Sequence, residues 1–123
     1  MIYIVDDDNS VRKSLARLMK SVGLEAETFA SAEEFLSKSP KQSGCLVLDI
    51  CLPGMSGIEL QKKLAKSGNK IPVIFITAQE DEQLRAKSMN AGAHGFLKKP
   101  FDDQALLDAI HALHASTSGD EKQ

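Results

Sequence analysis

Cys45-Leu46-Val47-Leu48-Asp49 is an unbroken apolar run that ends on a carboxylate. A strand that is apolar at every position is covered on both faces, as in the middle of a parallel sheet. Three other runs have the same form. Ile2-Tyr3-Ile4-Val5 leads into Asp6, Asp7 and Asp8, Val73-Ile74-Phe75-Ile76 leads into Thr77, and Phe96-Leu97 leads into Lys98, Lys99 and Pro100. If these runs are neighbouring parallel strands, their C-terminal ends lie along one edge, where open α/β sheets place their sites.

Helical segments separate the runs. The first is expected from Asn9 or Ser10 to about Ser21, with Val11, Leu15, Leu18 and Val22 as its apolar stripe and Gly23 as its stop. Leu24–Phe29 reads as a polar edge strand. Ser31-Ala32-Glu33-Glu34 is a capping-box spacing that opens a short helix carrying Phe35 and Leu36 and ended by Pro40. Ser56 and Glu59 repeat that spacing before a helix from Ile58 to about Lys66, which presents Ile58, Leu64 and Ala65. Asp81–Asn90 reads as a helix with a sparse apolar face of Leu84 and Met89. Asp102 caps a last helix reaching about Ala115, with Leu106, Leu107, Ile110 and Leu113 inward. Strand followed by helix, five times over, requires right-handed crossovers and a doubly wound, five-stranded parallel sheet of the α/β class, with five helices on its two faces.

At 123 residues the chain is expected to be one domain. Hydrophobic residues at 42% and charged residues at 26% are ordinary for a globular protein. The net charge is −2, from 15 basic and 17 acidic residues. No basic stripe is visible, which argues against direct nucleic-acid binding by this segment. The apolar stretches fall far short of a membrane span. No signal-peptide pattern follows Met1, so the expected location is the cytoplasm. Cys45 and Cys51 read as reduced, packed thiols, and His111 and His114 as a helix surface rather than a metal site.

The strand ends carry the chemistry. Asp6, Asp7 and Asp49 would lie a few ångströms apart, and their repulsion would raise a pKa or demand a cation. Hard oxygen ligands suit Mg²⁺, which binds through one or two carboxylates and engages phosphate oxygens. An aspartate after a strand is often only a turn or a helix cap; that reading suits Asp8 and jointly fits the other three much less well. Lys99 would place a positive charge opposite the metal, and Thr77 would supply a hydroxyl. A metal, a lysine and a hydroxyl around a carboxylate form a cradle for a phosphoryl group in transfer. An aspartate can itself be the nucleophile, and no other group in the pocket is a better one.

Val5-Asp6-Asp7, Leu48-Asp49-Ile50-Cys51-Leu52-Pro53-Gly54-Met55-Ser56-Gly57, Ile76-Thr77-Ala78 and Ala91-Gly92-Ala93 with Phe96-Leu97-Lys98-Lys99-Pro100-Phe101 together resemble a receiver domain of a bacterial two-component response regulator. The likeness covers about residues 1–115. Ile4-Val5-Asp6-Asp7-Asp8, Val11-Arg12-Lys13-Ser14-Leu15 and Ser31-Ala32-Glu33 are most similar to the FixJ/NarL-type branch, whose members usually carry a DNA-binding domain after the receiver. The resemblance implies a flavodoxin-like strand order 2-1-3-4-5. It implies Asp49 as phosphoacceptor, with Asp6, Asp7, Asp49 and the backbone carbonyl of Cys51 holding Mg²⁺ (or Mn²⁺). Thr77 would bond the phosphoryl oxygen, and Lys99, immediately before the proline, would pair with the phosphate in preference to Lys98. The Lys99–Pro100 peptide would be cis. Phe96, at a place often held by tyrosine, would follow Thr77 in the switch.

The implied function is a phosphorylation-activated signalling switch, charged by a sensor histidine kinase and controlling transcription through a separate DNA-binding domain. Dimerisation through the Asp81–Asn90 helix and the fifth strand is a family-level expectation, and control of phosphoryl lifetime is expected at Cys51 and Gln79. Residues 116–123 would be a tail or the start of a linker to that output domain. Two other classes compete. A metal-dependent phosphatase or phosphotransferase usually needs a second aspartate two residues after the nucleophile, where this chain has Cys51. A phosphorylation-independent interaction module usually loses an acidic residue or the lysine, and none is lost here.

Overall fold

A computed structural model describes residues 1–38, 44–78 and 82–121, with residues 114–121 described for the backbone alone. Pro40, Gln79 and Asp81 lie outside the described residues, as does the side chain of His114. Among the described residues ten elements alternate, strand then helix, five times over. The strands are β1 (Ile2–Val5), β2 (Ala26–Phe29), β3 (Cys45–Asp49), β4 (Val73–Thr77) and β5 (Gly95–Lys98), and the helices are α1 (Asn9–Ser21), α2 (Ala32–Ser37), α3 (Gly57–Lys66), α4 (Glu82–Asn90) and α5 (Asp103–Glu121). The five strands form one sheet in the order β2-β1-β3-β4-β5, every pair parallel.

Alternate residues along each strand feed two separate cores, as the period of two demands. On one face Tyr3, Val5, Leu46, Leu48, Val73 and Phe75 pack with Phe35 of α2 and Leu60 and Leu64 of α3. The Phe35 ring meets those of Tyr3 and Phe29 there edge to face, with Phe29 and Phe35 centroids 5.3 Å apart. On the other face Ile2, Ile4, Val47, Ile74 and Ile76 pack with Leu15 and Met19 of α1 and Leu106 and Ile110 of α5. β1, β3 and β4 are buried at every residue, which is what their continuous apolar sequences require.

The helix starts follow their caps. Asp8 accepts hydrogen bonds from the N–H groups of Ser10 and Val11, so this aspartate is a cap. Ser56 and Glu59 form a reciprocal capping box at α3. Several expectations shift. β2 begins at Ala26, not Leu24; Leu24 is spent closing α1, its N–H donating to Met19 O. α1 buries Leu15 and Met19, while Val22 stands 45% exposed just past the helix. α3 turns Leu60, Gln61 and Leu64 inward and leaves Ala65 exposed. Met89 of α4 is exposed and Ser88 is buried instead, its Oγ donating to Leu84 O at 2.8 Å. α5 runs past Ala115 to Glu121. No proline interrupts that stretch, and a single glycine inside a helix costs only about 1 kcal/mol. Cys45 is buried as expected, but Cys51 is exposed rather than packed, because it lies in the bend beyond the end of β3. Among the described residues no helix is long and apolar enough to cross a membrane.

Candidate phosphoryl-transfer site

Strand register builds the site. Val5 of β1 is paired with Leu48 of β3, so the next residues, Asp6 and Asp49, stand side by side at the C-terminal edge. Asp49 is in turn paired with Ile76 of β4, and Thr77 with Lys98 of β5. One carboxylate oxygen each from Asp6, Asp7 and Asp49 lie within 4.8 Å of one another. Asp6 is fully buried and Asp49 is 4% exposed, whereas Asp7 is open to solvent.

Each buried carboxylate is aimed by its own turn. Asp6 Oδ1 accepts the Asp8 N–H at 2.9 Å, and Asp49 Oδ1 accepts the Cys51 N–H at 3.1 Å. These bonds, each spanning two residues, are Asx turns, which the Asp-Asp-Asp and Asp-Ile-Cys sequences permit locally. The second oxygens face Lys99: Nζ lies 2.6 Å from Asp6 Oδ2 and 3.4 Å from Asp49 Oδ2. The Lys99 N–H donates to Thr77 O at 2.6 Å, which ties its backbone to the end of β4; the Lys99–Pro100 peptide is cis. Lys98, the last residue of β5, is exposed.

The electrostatics are those of a crowded anionic pocket. Burial and then the neighbouring charge of Asp6 push the Asp49 carboxyl above its ordinary range, against the pull of Lys99 and the Cys51 N–H. Lys99 is itself desolvated, which favours the neutral amine. Its hydrogen bond to Asp6 and the charges of Asp49 and Asp6 outweigh that and hold the ammonium above its ordinary range. Three carboxylates against one ammonium leave an excess negative charge among oxygen donors. A divalent hard cation relieves both the repulsion and the burial cost, so the donor set fits Mg²⁺.

Thr77 is fully buried at the end of β4, with Oγ1 3.9 Å from Cys51 Sγ. Phe96 is half-buried, faces its register partner Phe75 and packs against the core of that face. The Arg85 guanidinium of α4 lies 5.9 Å from the Phe96 ring centroid, a cation–π distance. Asp6, Asp7, Asp49, Cys51, Thr77 and Lys99 are thus gathered at one edge, with Phe96 further back on the α4 side.

Three contributors escaped sequence reasoning. Arg12 Nη1 donates to the backbone O of Asp6 at 2.6 Å, and Arg12 Nη2 to Asn9 Oδ1 at 3.2 Å, so α1 grips the strand end that carries the first carboxylate. Arg12 lies six residues after Asp6, and its helical position could have suggested the contact. Arg85 had no such signal, because the orientation of α4 is not readable from its sparse apolar pattern. Gly57 is the third: a β-carbon there would come within 2.9 Å of Ile50 Cα, so α3 starts this close to the end of β3 only with glycine.

Comparison with known proteins agrees with this geometry. The family model described as response regulator receiver domain matches residues 2–111. Nodulation protein W of Bradyrhizobium diazoefficiens is 47% identical over 124 residues, covering 100% of this chain and 53% of that protein. The chain spans about half the length of the curated relatives it matches. The solved structure of the response regulator StyR superposes with a TM-score of 0.85 at 47% identity, over 98% of this chain and 63% of that one. FixJ-N superposes with a TM-score of 0.82 at 39% identity, over 89% of each chain. The chain belongs to the receiver-domain family of response regulators, and its sheet is the flavodoxin-like one of that family.

Proposed function

We infer that Asp49 is the phosphoacceptor of a phosphorylation-activated switch, charged by a partner sensor histidine kinase. One observation carries the reading: Lys99 bridges Asp6 and Asp49 within a cluster of three carboxylates at the C-terminal edge of adjacent strands. Asp6, Asp7, Asp49 and the backbone carbonyl of Cys51 would hold Mg²⁺, or Mn²⁺ in its place. When bound, the ion supplies charge neutralisation at the phosphoryl oxygens.

The chain's own residues do the rest. An Asp49 carboxylate oxygen attacks phosphorus, the bond from phosphorus to the donor breaks, and the donor leaves with its electron pair. Lys99 stabilises the negative charge on the transferred group. The Thr77 hydroxyl donates to a phosphoryl oxygen after transfer, and Phe96 moves towards the space Thr77 leaves. The altered surface around α4 and β5 is the output, and a second copy of this chain docking there would make a homodimer. The reaction is confined to the chain's own phosphorylation and dephosphorylation, without turnover of an external substrate.

The matched relatives include proteins named as transcriptional regulators. By likeness, residues 1–115 form the phosphoacceptor domain of a cytoplasmic transcription regulator. Residues 116–123 would then lead from α5 towards a DNA-binding output domain.

The test is incubation with acetyl phosphate and Mg²⁺ followed by intact mass. The wild-type chain gains one phosphoryl group, the gain vanishes with EDTA, and Asp49→Asn prevents it. An Asp49→Asn variant that gained the same mass would overturn the assignment.

A further inference from the structure

Ser31-Ala32-Glu33-Glu34 opens α2, and three of its residues are accounted for at the helix start. Ser31 Oγ accepts the Glu34 N–H at 3.1 Å, Glu34 Oε2 accepts the Ala30 N–H at 3.2 Å, and Ala32 is buried in the core. Glu33 is surplus to the cap. Its Oε2 instead accepts the N–H of Met55 at 3.2 Å, a residue 22 positions further along the chain.

Met55 lies in the loop that joins the end of β3 to α3 and contains Cys51. That loop is fastened at its start by the Cys51 N–H to Asp49 Oδ1, and at its end by the Gly57 N–H to Ile50 O at 2.9 Å. Between these points Pro53 and Gly54 are exposed. Gly54 has φ +75°, and a β-carbon there would lie 3.0 Å from the same Glu33 oxygen. The glycine therefore permits both the turn and the close approach of the carboxylate.

We propose that Glu33 is a positioning residue for the site: by accepting the Met55 N–H it holds the loop so that the Cys51 carbonyl is presented to the carboxylate cluster. The inference rests on the reading of Asp6, Asp7, Asp49 and Cys51 as the Mg²⁺ ligands. It gives the Ser-Ala-Glu sequence a task beyond starting a helix. Glu33 is exposed, so its replacement leaves the core intact.

The experiment uses the ¹⁵N-labelled chain with Mg²⁺ alone and no phosphoryl donor. Glu33→Ala is expected to speed exchange of the Met55 amide by about threefold to tenfold. It should also raise the Mg²⁺ dissociation constant by about tenfold, the low end for a residue acting through a ligand. Glu33→Gln, whose amide oxygen still accepts, restores both. Glu27→Ala removes the same charge from an exposed place on β2 and changes neither. Either quantity staying within about twofold of wild type in Glu33→Ala would overturn the proposal. So would Glu33→Gln behaving like alanine, or Glu27→Ala weakening Mg²⁺ equally. A wild-type chain that bound Mg²⁺ yet accepted no phosphoryl group would overturn the reading of Asp49 and leave this test standing.

Discussion

β1, β3 and β4 bury every residue, and α1 packs Leu15 and Met19 against them, whereas β5 is nowhere fully buried and α4 buries only Ser88. Asp6 and Asp49 stand on the first half of the sheet, gripped by Asx turns and by Arg12. Phe96 and Arg85 belong to the second half. Thr77 ends β4, on the boundary between them. Regions with few buried apolar contacts open at the lowest free energy. The two buried carboxylates thus sit on the stiff half, Lys99 reaches them from just beyond β5, and α4 and β5 are the elements that open at least cost.

Core truncation should separate the two halves most visibly. Phe75→Ala empties a fully buried site on β4 and is expected to cost about 3–5 kcal/mol. Met89→Ala on exposed α4 should stay within about 0.5 kcal/mol of wild type. Urea unfolding measures both, and equal losses would mean that α4 is as firmly packed as the central strands.

A smaller effect of opposite sign is expected inside the stiff half. Asp49 is held above its ordinary pKa by burial and by Asp6, so the folded chain keeps this proton where the unfolded chain has lost it. Stability therefore falls as pH rises from the ordinary carboxylate range through the raised value. Asp49→Asn removes that loss and should raise the melting temperature of the metal-free protein at neutral pH. Thermal melts in EDTA across acid to neutral pH should show the two proteins converging at the acid end. A gap that widened towards low pH would reverse the assignment of strain to Asp49.

The smallest effect sharpens the loose half. Arg85→Ala removes the cation over Phe96, a contact worth about 0.5 kcal/mol, so amide exchange in α4 should speed by about twofold with α1 unchanged. Equal acceleration in α1 would show that the two halves open together.

The legible part of the site was the part made of short-range consequences. Asp6 and Asp49 follow strands that register sets side by side, and Asp8 reads as a cap because Ser10 and Val11 sit where a helix needs its first acceptor. The choice of Lys99 over Lys98 came from resemblance alone. Periodicity could not make it, because Lys98 ends β5 and Lys99 lies just beyond it, where strand alternation no longer sets the direction of a side chain. The start of β2 and the end of α5 carry no strong amphipathic signal, and in α3 packing against the sheet decides which residues turn inward. The exposure of Cys51 depends on the bend after β3, which no run of residue types specifies.

The alternation of strands and helices, the burial of the central strands and the kinds of group at their C-terminal ends are all readable from the chain's residue pattern. Hydrophobic period and capping chemistry act over a few residues and are written along the chain. What meets across the chain came only with folding: Lys99 between Asp6 and Asp49, Arg12 on Asp6, Glu33 on Met55, Arg85 over Phe96. Those contacts depend on strand register and helix orientation. Both are set by the packing of the whole domain and not by any local pattern of residues.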